Sequence, residues 1–378
     1  MPKHVRRILH LVGSPTSPFH RELSHLYAAD CLTATADATR YEFHVADVAP
    51  DGHWRFPSDL TDDALNAAEP IALSAAIERI ELLGIDVVVP QMFCIPGMTT
   101  YRALFELLGI PYIGNTAQLM ATTADKALAR SVIAQTDVSV PEGQVLRRND
   151  MVVGDTVVGD TVVGDTVVGD TVVGDTVVGD TVVGSVVKIN LPVVVKPVDA
   201  DNSLGVTLVT NASELPNALE IAWLHSERAI IERFVELGRE VRCATVMLHG
   251  ELVCLPLEEY AVDAVTQPIR DHADKLARDP DGDLRLVAKE STRAWIVDTD
   301  DPITARVWEA ALRCHAALGC RHYGLFDFRV DSNGEPWFLE ASLYNSFART
   351  SVIAVMAAAA GITLPELFAS AISEAVAQ

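Results

Sequence analysis

Two acids on one hairpin are the first residues of this chain whose placement suggests chemistry. The stretch LFDFRVDSNGEPWFLEASLYNSF, Leu325 to Phe347, reads as two strands joined at Asn333-Gly334. A two-residue turn there sets Asp327 opposite Glu340 and Leu325 opposite Ser342. Phe326, Phe328, Val330, Trp337, Leu339 and Ala341 then share the other, wholly apolar face, and a four-residue loop would preserve that parity. Carboxylates about 5 Å apart repel by roughly 3 kcal/mol at an effective dielectric of about 20, so the pair calls for a cation, or for a basic neighbour such as Arg329. So few hard oxygen ligands suit Mg²⁺, which completes its shell with water and phosphate oxygens. Upstream, Lys196 ends the apolar run PVVVK, and the loop DADNSLG that follows is small and polar enough to bring backbone N–H groups to a phosphate. A lysine, such a loop and a carboxylate pair form the minimum set for binding Mg-nucleotide, although each alone is equally an ordinary surface charge.

The elements that must hold these residues follow from periodicity. The first third alternates apolar strands (ILHLVG, YEFHVADV, IDVVVPQMF, IPYIGN) with amphipathic helices (ELSHLYAADCLTA, ALSAAIERIELL, MTTYRALFELLG), the pattern of a doubly wound parallel α/β sheet over residues 1 to about 118. The helix DKALARSVIAQT then leads to VPEGQVL. The last third holds two hairpins, one turning at His249-Gly250 and the other at Asn333-Gly334, before closing helices. The fold class is α/β combined with α+β.

Between VPEGQVL and PVVVK the chain carries six perfect copies of VVGDT, beginning at Val152, and a truncated seventh ending at Ser185. A period of five matches neither a strand nor a helix, and GDT favours turns, so the array is expected to be a mobile or loosely β-like surface insertion. Roughly two doublings of loop length cost only about 1.2 kcal/mol of closure entropy, which a fold can tolerate.

Composition narrows the partners. The 378 residues, 49% of them hydrophobic, suffice for two or three domains. A net charge of −23 argues against general affinity for nucleic acid or an anionic membrane, so an anionic ligand needs a local pocket of Lys, Arg and backbone N–H groups. No run reaches the length of a membrane span and ILHLV is too short for a signal segment, so the expected location is the cytoplasm. The six cysteines show no CxxC spacing and are expected to be free thiols, most of them buried.

With IPYIGN, ADKALAR, PVVVKPVDADNSLGV, AIIERFVELGREV, ALGCRHYGLFDFRVDSNGEPWFLEAS and MAAAAGITLPEL in this order, the chain resembles the ATP-grasp enzymes of the D-alanine–D-alanine ligase branch over nearly its whole length. The resemblance implies an ATP-grasp fold: an N-terminal Rossmann-like (pre-ATP-grasp) domain at 1–118, a central lobe at 119–240 carrying the repeat (152–185) and a C-terminal catalytic lobe at 241–378. The two α+β lobes grip ATP. It also implies roles. Lys126 and Lys196 hold phosphates, Asn202 and Ser203 lie in the loop closing over them, and Glu232 and Glu240 hold adenine and ribose. Lys275 lies near the γ-phosphate, and Asp327, Glu340 and Ser342 ligate Mg²⁺, or Mn²⁺ in its place. Arg349 and Ser351 anchor a substrate carboxylate. Ser342 stands where the family has Asn, Leu325 where it has Arg, and the loops SPTSPFHRELS and MFCIPGMTTYRALF lack the family's acidic and histidine-glycine motifs.

Those loops, with GREVRC and FLEASLYNSFA, resemble the branch members of mycosporine-like amino acid biosynthesis, which join serine, threonine or a similar amino acid to mycosporine-glycine through a phosphorylated cyclohexenone. The implied partners are therefore mycosporine-glycine, an amino acid and ATP, and a homodimer is compatible with them. A D-Ala-D-Ala or other dipeptide ligase, and a nucleotide-binding protein without catalysis, remain the alternatives. If the repeat is an insertion, a chain lacking Asp155 to Thr181 should keep its ATP affinity and turnover within about twofold. A folded deletion chain with ATP affinity reduced a hundredfold would instead make the array part of the nucleotide site.

Overall fold

The computed structural model describes residues 5–148, 177–178, 181–182, 189–200, 203–236, 238–263, 266, 268–269, 276–278, 284–286 and 292–377. Asn202, Lys275 and the VVGDT array, two short strands of it excepted, lie outside the described residues.

RRILHLVG forms β1 (Arg6–Gly13). With β2 (Tyr41–Val48), β3 (Trp54–Arg55) and β4 (Val87–Pro90) it builds a sheet of order β3-β2-β1-β4, in which β2 and β4 both run parallel to β1. The helix Pro18–Ala34 begins at Ser17, whose side chain accepts the His20 N–H, with proline at its first turn. The helix Leu73–Leu83 ends on Gly84 at φ 60°, a left-handed position that glycine adopts without steric cost. β1 is apolar on both faces because both are covered: Leu9 and Leu11 pack with Ile80 and Phe105, while Ile8 shares a core with Phe368 and Ile372 of the helix Leu364–Ala377. The chain's last helices thus close a face of its first sheet.

The second sheet comprises β5 (Gly143–Arg147), then, beyond the short antiparallel pair β6 (Val177–Val178) and β7 (Thr181–Val182), β8 (Val193–Pro197), β9 (Thr207–Val209) and β10 (Arg228–Arg233). Its order is β5-β10-β8-β9, and the helix Leu215–Trp223 covers one face through Leu219, Ala222 and Trp223.

The third sheet contains β11 (Arg239–Leu248), β12 (Glu251–Cys254) and β13 (Glu258–Tyr260), then, after the separate pair β14 (Leu276–Arg278) and β15 (Leu284–Leu286), β16 (Ala294–Ile296), β17 (Tyr323–Val330) and β18 (Pro336–Ala341). Its order is β16-β13-β11-β17-β18, with β12 also on β11. The β11–β12 turn falls at His249-Gly250 as expected, both residues having positive φ, the two-residue geometry that suits strand twist. The β17–β18 turn differs from its expected form. Asp331 accepts the N–H groups of Asn333 and Glu335 on Oδ1, which stretches the loop to three residues and pairs Phe328 with Phe338. A bulge between Asp327 and Phe328 then restores Asp327 opposite Glu340. The apolar face consequently takes Phe338, packed with Phe326 and Phe328 under the helix Thr304–Leu318, in place of Trp337 and Leu339.

All six cysteines are free thiols, four of them buried. No single helix among the described residues is long and apolar enough to cross a membrane. His10 is fully buried, edge-on to Phe43 at 4.7 Å, and its Nδ1 lies 3.0 Å from the Gln91 amide nitrogen. Burial pushes its pKa down to about 3 and that of His315 down to about 4, from 6.5 for the free side chain. Between pH 6.5 and about 4 the unfolded chain therefore binds protons that the folded chain excludes, so stability rises with pH in that window and falls on acidification. Melting temperature should drop across it, and His10→Phe should flatten the slope even if Gln91, left without its partner, lowers stability at pH 7. An unchanged slope would show that His10 does not contribute to the acid sensitivity.

Candidate functional site

Two of the sheets face each other across a cleft that opens to solvent. On one wall β8 brings Lys196 and β10 brings Glu232. They are diagonal on one face because Ile230 opposes Lys196 and Val194 opposes Glu232, and Ala229 and Ile231 point the other way, into the core. The opposite wall is β11, β17 and β18, carrying Glu240, Asp327, Arg329, Leu339 and Glu340. Lys126 enters from the helix Lys126–Ile133, whose first turn is fixed by the Asp125 side chain accepting the Leu128 N–H at 3.0 Å.

The structure therefore gathers Lys126, Lys196, Ser203, Glu232, Glu240, Asp327 and Glu340, all singled out from sequence, around one space. Ser203 adopts φ 58°, and Lys126 binds the same loop through the Ala200 carbonyl. Val194, Val206, Val235 and Ile269 give the cavity an apolar side. Two lysines, a tight loop and an apolar wall fit a nucleotide: cations for phosphates, a slot for a base.

Charge in the cavity is paired. Lys196 Nζ lies 2.7 Å from Glu232, and Arg130 is 3.6 Å from the same carboxylate. Arg329 donates to Glu240 at 2.6 Å. Arg242 meets both oxygens of Asp327, with Nη2 2.6 Å from Oδ2. Burial opposes the Arg242 charge, but Asp327 chiefly, with Tyr260 and Glu258, outweighs it and holds the guanidinium charged well above its usual range. Arg242 was not singled out from sequence. The alternation in GREVRC places Glu240 and Arg242 on one face, but only the register of β11 on β17 shows that Arg242 opposes Asp327 and Glu240 opposes Arg329. The expected pair of metal-binding acids is thus brought together, with Asp327 engaged by an arginine and Glu340 reached by Lys126 at 3.9 Å. As a donor set for Mg²⁺, Glu340 fits on the side facing the cavity, while Asp327 offers what Arg242 leaves of its lone pairs.

A second, narrow recess shares Glu340 and Lys126 with the first. Ile95, Met98, Met120, Leu343 and Tyr344 make most of its lining apolar, and Ser342 lies in it. Phe93 sits between Tyr27 and Tyr344, its ring 5.2 and 6.2 Å from theirs. Arg349 lines neither cavity among the described residues. Its guanidinium and its backbone N–H are both held by Asp30 of the first helix, so the cation expected to meet a substrate carboxylate already has one as partner. Ser351 is different: 8% exposed, at the N-cap of the helix Val352–Ala359, with no hydrogen-bond partner for its hydroxyl among the described residues.

Two facing α+β layers around a lysine-bearing cleft are the arrangement of the ATP-grasp ligases, and the chain's similarity to known proteins gives the same class. The chain belongs to the D-Ala-D-Ala ligase family, whose model, "D-ala D-ala ligase C-terminus", matches residues 178–373. It is 33% identical over 276 residues to the D-alanine--D-alanine ligase of Flavobacterium johnsoniae, covering 73% of this chain and 72% of that one. It is 26% identical to the Mycolicibacterium smegmatis D-alanine--D-alanine ligase, covering 93% of this chain and 92% of that one. The fold matches the VanG D-Ala:D-Ser ligase of Enterococcus faecalis (TM-score 0.71, 19% identity, 98% and 99% covered). It also matches the D-alanine--D-alanine ligase of Bacillus anthracis complexed with ATP (0.65, 19%, 99% and 98%). The chain is an ATP-dependent ligase of this type, which favours an enzyme over a nucleotide-binding protein without catalysis.

Removing Lys196 leaves Glu232 buried with Arg130 at 3.6 Å as its remaining described partner. Lys196→Met should destabilise the ligand-free chain by about 3 kcal/mol and abolish its thermal stabilisation by ATP. Lys196→Met/Glu232→Leu should recover stability without recovering the ATP response. Recovery of both in thermal-shift measurements would take Lys196 out of the nucleotide site.

Proposed function

We propose that this ligase condenses the amino group of serine, threonine or a similar amino acid with mycosporine-glycine, giving a UV-absorbing imine of the shinorine or porphyra-334 type. The observation that supports this acceptor is the second recess, where Ile95, Met98, Met120, Leu343 and Tyr344 offer an apolar side to a ring and Thr123, Asp199 and Ser342 offer polar groups to its substituents. Leu325, buried in the core at 5% exposure, supports it too: no arginine reaches the reacting centre from that position, where an acyl-phosphate route would use one. The named relatives support the second reading more directly, a D-Ala-D-Ala or related dipeptide ligase. Both readings share the same nucleotide cleft.

In the first reading the ring carbonyl is a vinylogous amide, and its oxygen is nucleophilic enough to form an O–P bond to the γ-phosphoryl group as ADP departs. The amine lone pair then forms the C–N bond, and phosphate leaves with the C–O electrons. The chain's own contribution is placement and charge neutralisation in a space shielded from water. Lys126, Lys196, Ser203 and Asn202 hold phosphates, Glu232 and Glu240 the adenine and ribose, and Lys275 the γ-phosphate end. Glu340, with Ser342 and Asp327 beside it, would hold Mg²⁺, which would supply charge neutralisation on the phosphoryl oxygens. Ser351, with its orphan hydroxyl at a helix start, receives a substrate carboxylate, and Arg349, through Asp30, fixes the loop that carries it. In domain terms, residues 1–118 and the two lobes at 119–240 and 241–378 close around these groups.

Incubation with ATP, Mg²⁺, mycosporine-glycine and mixed amino acids should release phosphate, shift the ultraviolet absorbance and give a product whose mass is that of the imine. Glu340→Ala should abolish this release in a chain that stays folded. Phosphate release with amino acids alone, and none that depends on the cyclohexenone, would establish the dipeptide reading instead.

A further inference from the structure

The acids at the candidate metal site are not equivalent. Asp327 is 3% exposed and Arg242, which grips both its oxygens, is 4% exposed. Arg242 stands in register with Asp327 on one side and Glu258 on the other. Glu258 in turn accepts the Tyr260 hydroxyl, and the Tyr260 ring centroid lies 5.6 Å from the guanidinium carbon. The guanidinium is therefore bonded to one carboxylate and lies beside an aromatic face, with Glu258 next to Arg242 in register on β13. Glu340, across the hairpin from Asp327, has a side chain 33% exposed to the cavity and its basic neighbour Lys126 at 3.9 Å. A bound metal would reach Glu340 directly. To chelate Asp327 it would have to displace a two-pronged, buried arginine and leave that charge to Glu258.

The two-carboxylate argument for a cation thus has an answer inside the protein. The hairpin's repulsion is relieved on the Asp327 side by a guanidinium that cannot deprotonate or dissociate. We propose that Arg242 is a built-in cation of the nucleotide site, taking the place that a metal would have at Asp327, so that bound nucleotide is accompanied by a single tightly held divalent cation at Glu340. Asp327 then serves as the partner that positions Arg242, and is not itself a metal ligand. This rests on the reading of the cavity as a nucleotide site, and it changes what that site requires: one divalent cation per nucleotide.

The test counts metal and does not depend on turnover. The full chain is saturated with ADP, ADP binding is verified by calorimetry, and free Mn²⁺ is followed by electron paramagnetic resonance during titration. One tightly bound Mn²⁺ per ADP is expected in the unaltered chain. Glu340→Gln should weaken its binding by roughly tenfold or more, whereas Asp327→Asn should change it by less than about threefold, the difference that separates an Asp327 outside the metal shell from one within it. Arg242→Gln, which exposes the chelating edge of Asp327, should take up a second Mn²⁺, and Arg242→Gln/Asp327→Asn should return to one. Two Mn²⁺ per ADP in the unaltered chain, an Asp327→Asn loss as large as that of Glu340→Gln, or an Arg242→Gln chain that binds ADP and stays at one would each overturn the proposal. If Arg242→Gln fails to fold, the unaltered chain, Asp327→Asn and Glu340→Gln decide the question. A chain that binds no ADP at all would remove the nucleotide reading together with this one.

Discussion

Buried charge must be paired, and that requirement organises this protein. Lys196 with Glu232, Arg242 with Asp327 and Arg329 with Glu240 all lie in or beside one cleft, with side-chain exposures of 10% or less. Deleting one member of such a pair typically costs about 3–5 kcal/mol, because the other is left without water or a partner. The pairs depend in turn on strand register: a slip of β11 by one residue against β17 would carry Glu240 and Arg242 to the face that packs beneath the helix Thr304–Leu318, and Val241 and Cys243 into the cleft. Sheet order and site electrostatics are therefore one constraint seen at two scales.

The apolar frame makes that register possible. Phe326, Phe328 and Phe338 pack with Val307, Ala311 and Cys314 behind the charged face, and Ala229 and Ile231 do the same behind Lys196 and Glu232. At the other end of the third sheet, Ala244, Val246 and Leu325 lie in a core shared with β1 and with the helix Leu364–Ala377. One continuous strand, β17, thus passes from core at Leu325 to cleft at Asp327 within two residues. The Arg349–Asp30 pair and the Tyr27–Phe93–Tyr344 ring contacts tie the same two ends of the chain together beside the second recess.

Family membership and substrate choice reside in different parts of this arrangement. The match over residues 178–373 takes in β8, β10, β11, β17 and β18, which supply most of the nucleotide cleft. The second recess also draws on Ile95 and Met98, from the segment following β4, and on Ser342 to Tyr344, from the loop following β18. Such loops can change the shape and polarity of a recess without disturbing the sheets that hold the phosphates.

The sequence by itself determined three strands of the first sheet, both late hairpins, and the lysine and small-residue loop at the end of β8; it also expected Asp327 opposite Glu340, which the structure reaches through a bulge. Each follows from local rules: side-chain period, turn chemistry and the apolar length of a strand. It did not determine the three-residue turn organised by Asp331, because an Asx side chain competing for backbone N–H groups changes loop length without changing the Asn-Gly signal. Nor could it reveal Arg242 beside Asp327 or Arg349 beside Asp30, contacts 85 and 319 residues apart in the chain. Such partners are chosen by which strands become neighbours and in what register, and those choices are made by the packing of whole sheets and helices, which local periodicity does not encode. The chemistry available was written in residue types, and the partner each charge meets was decided only on folding.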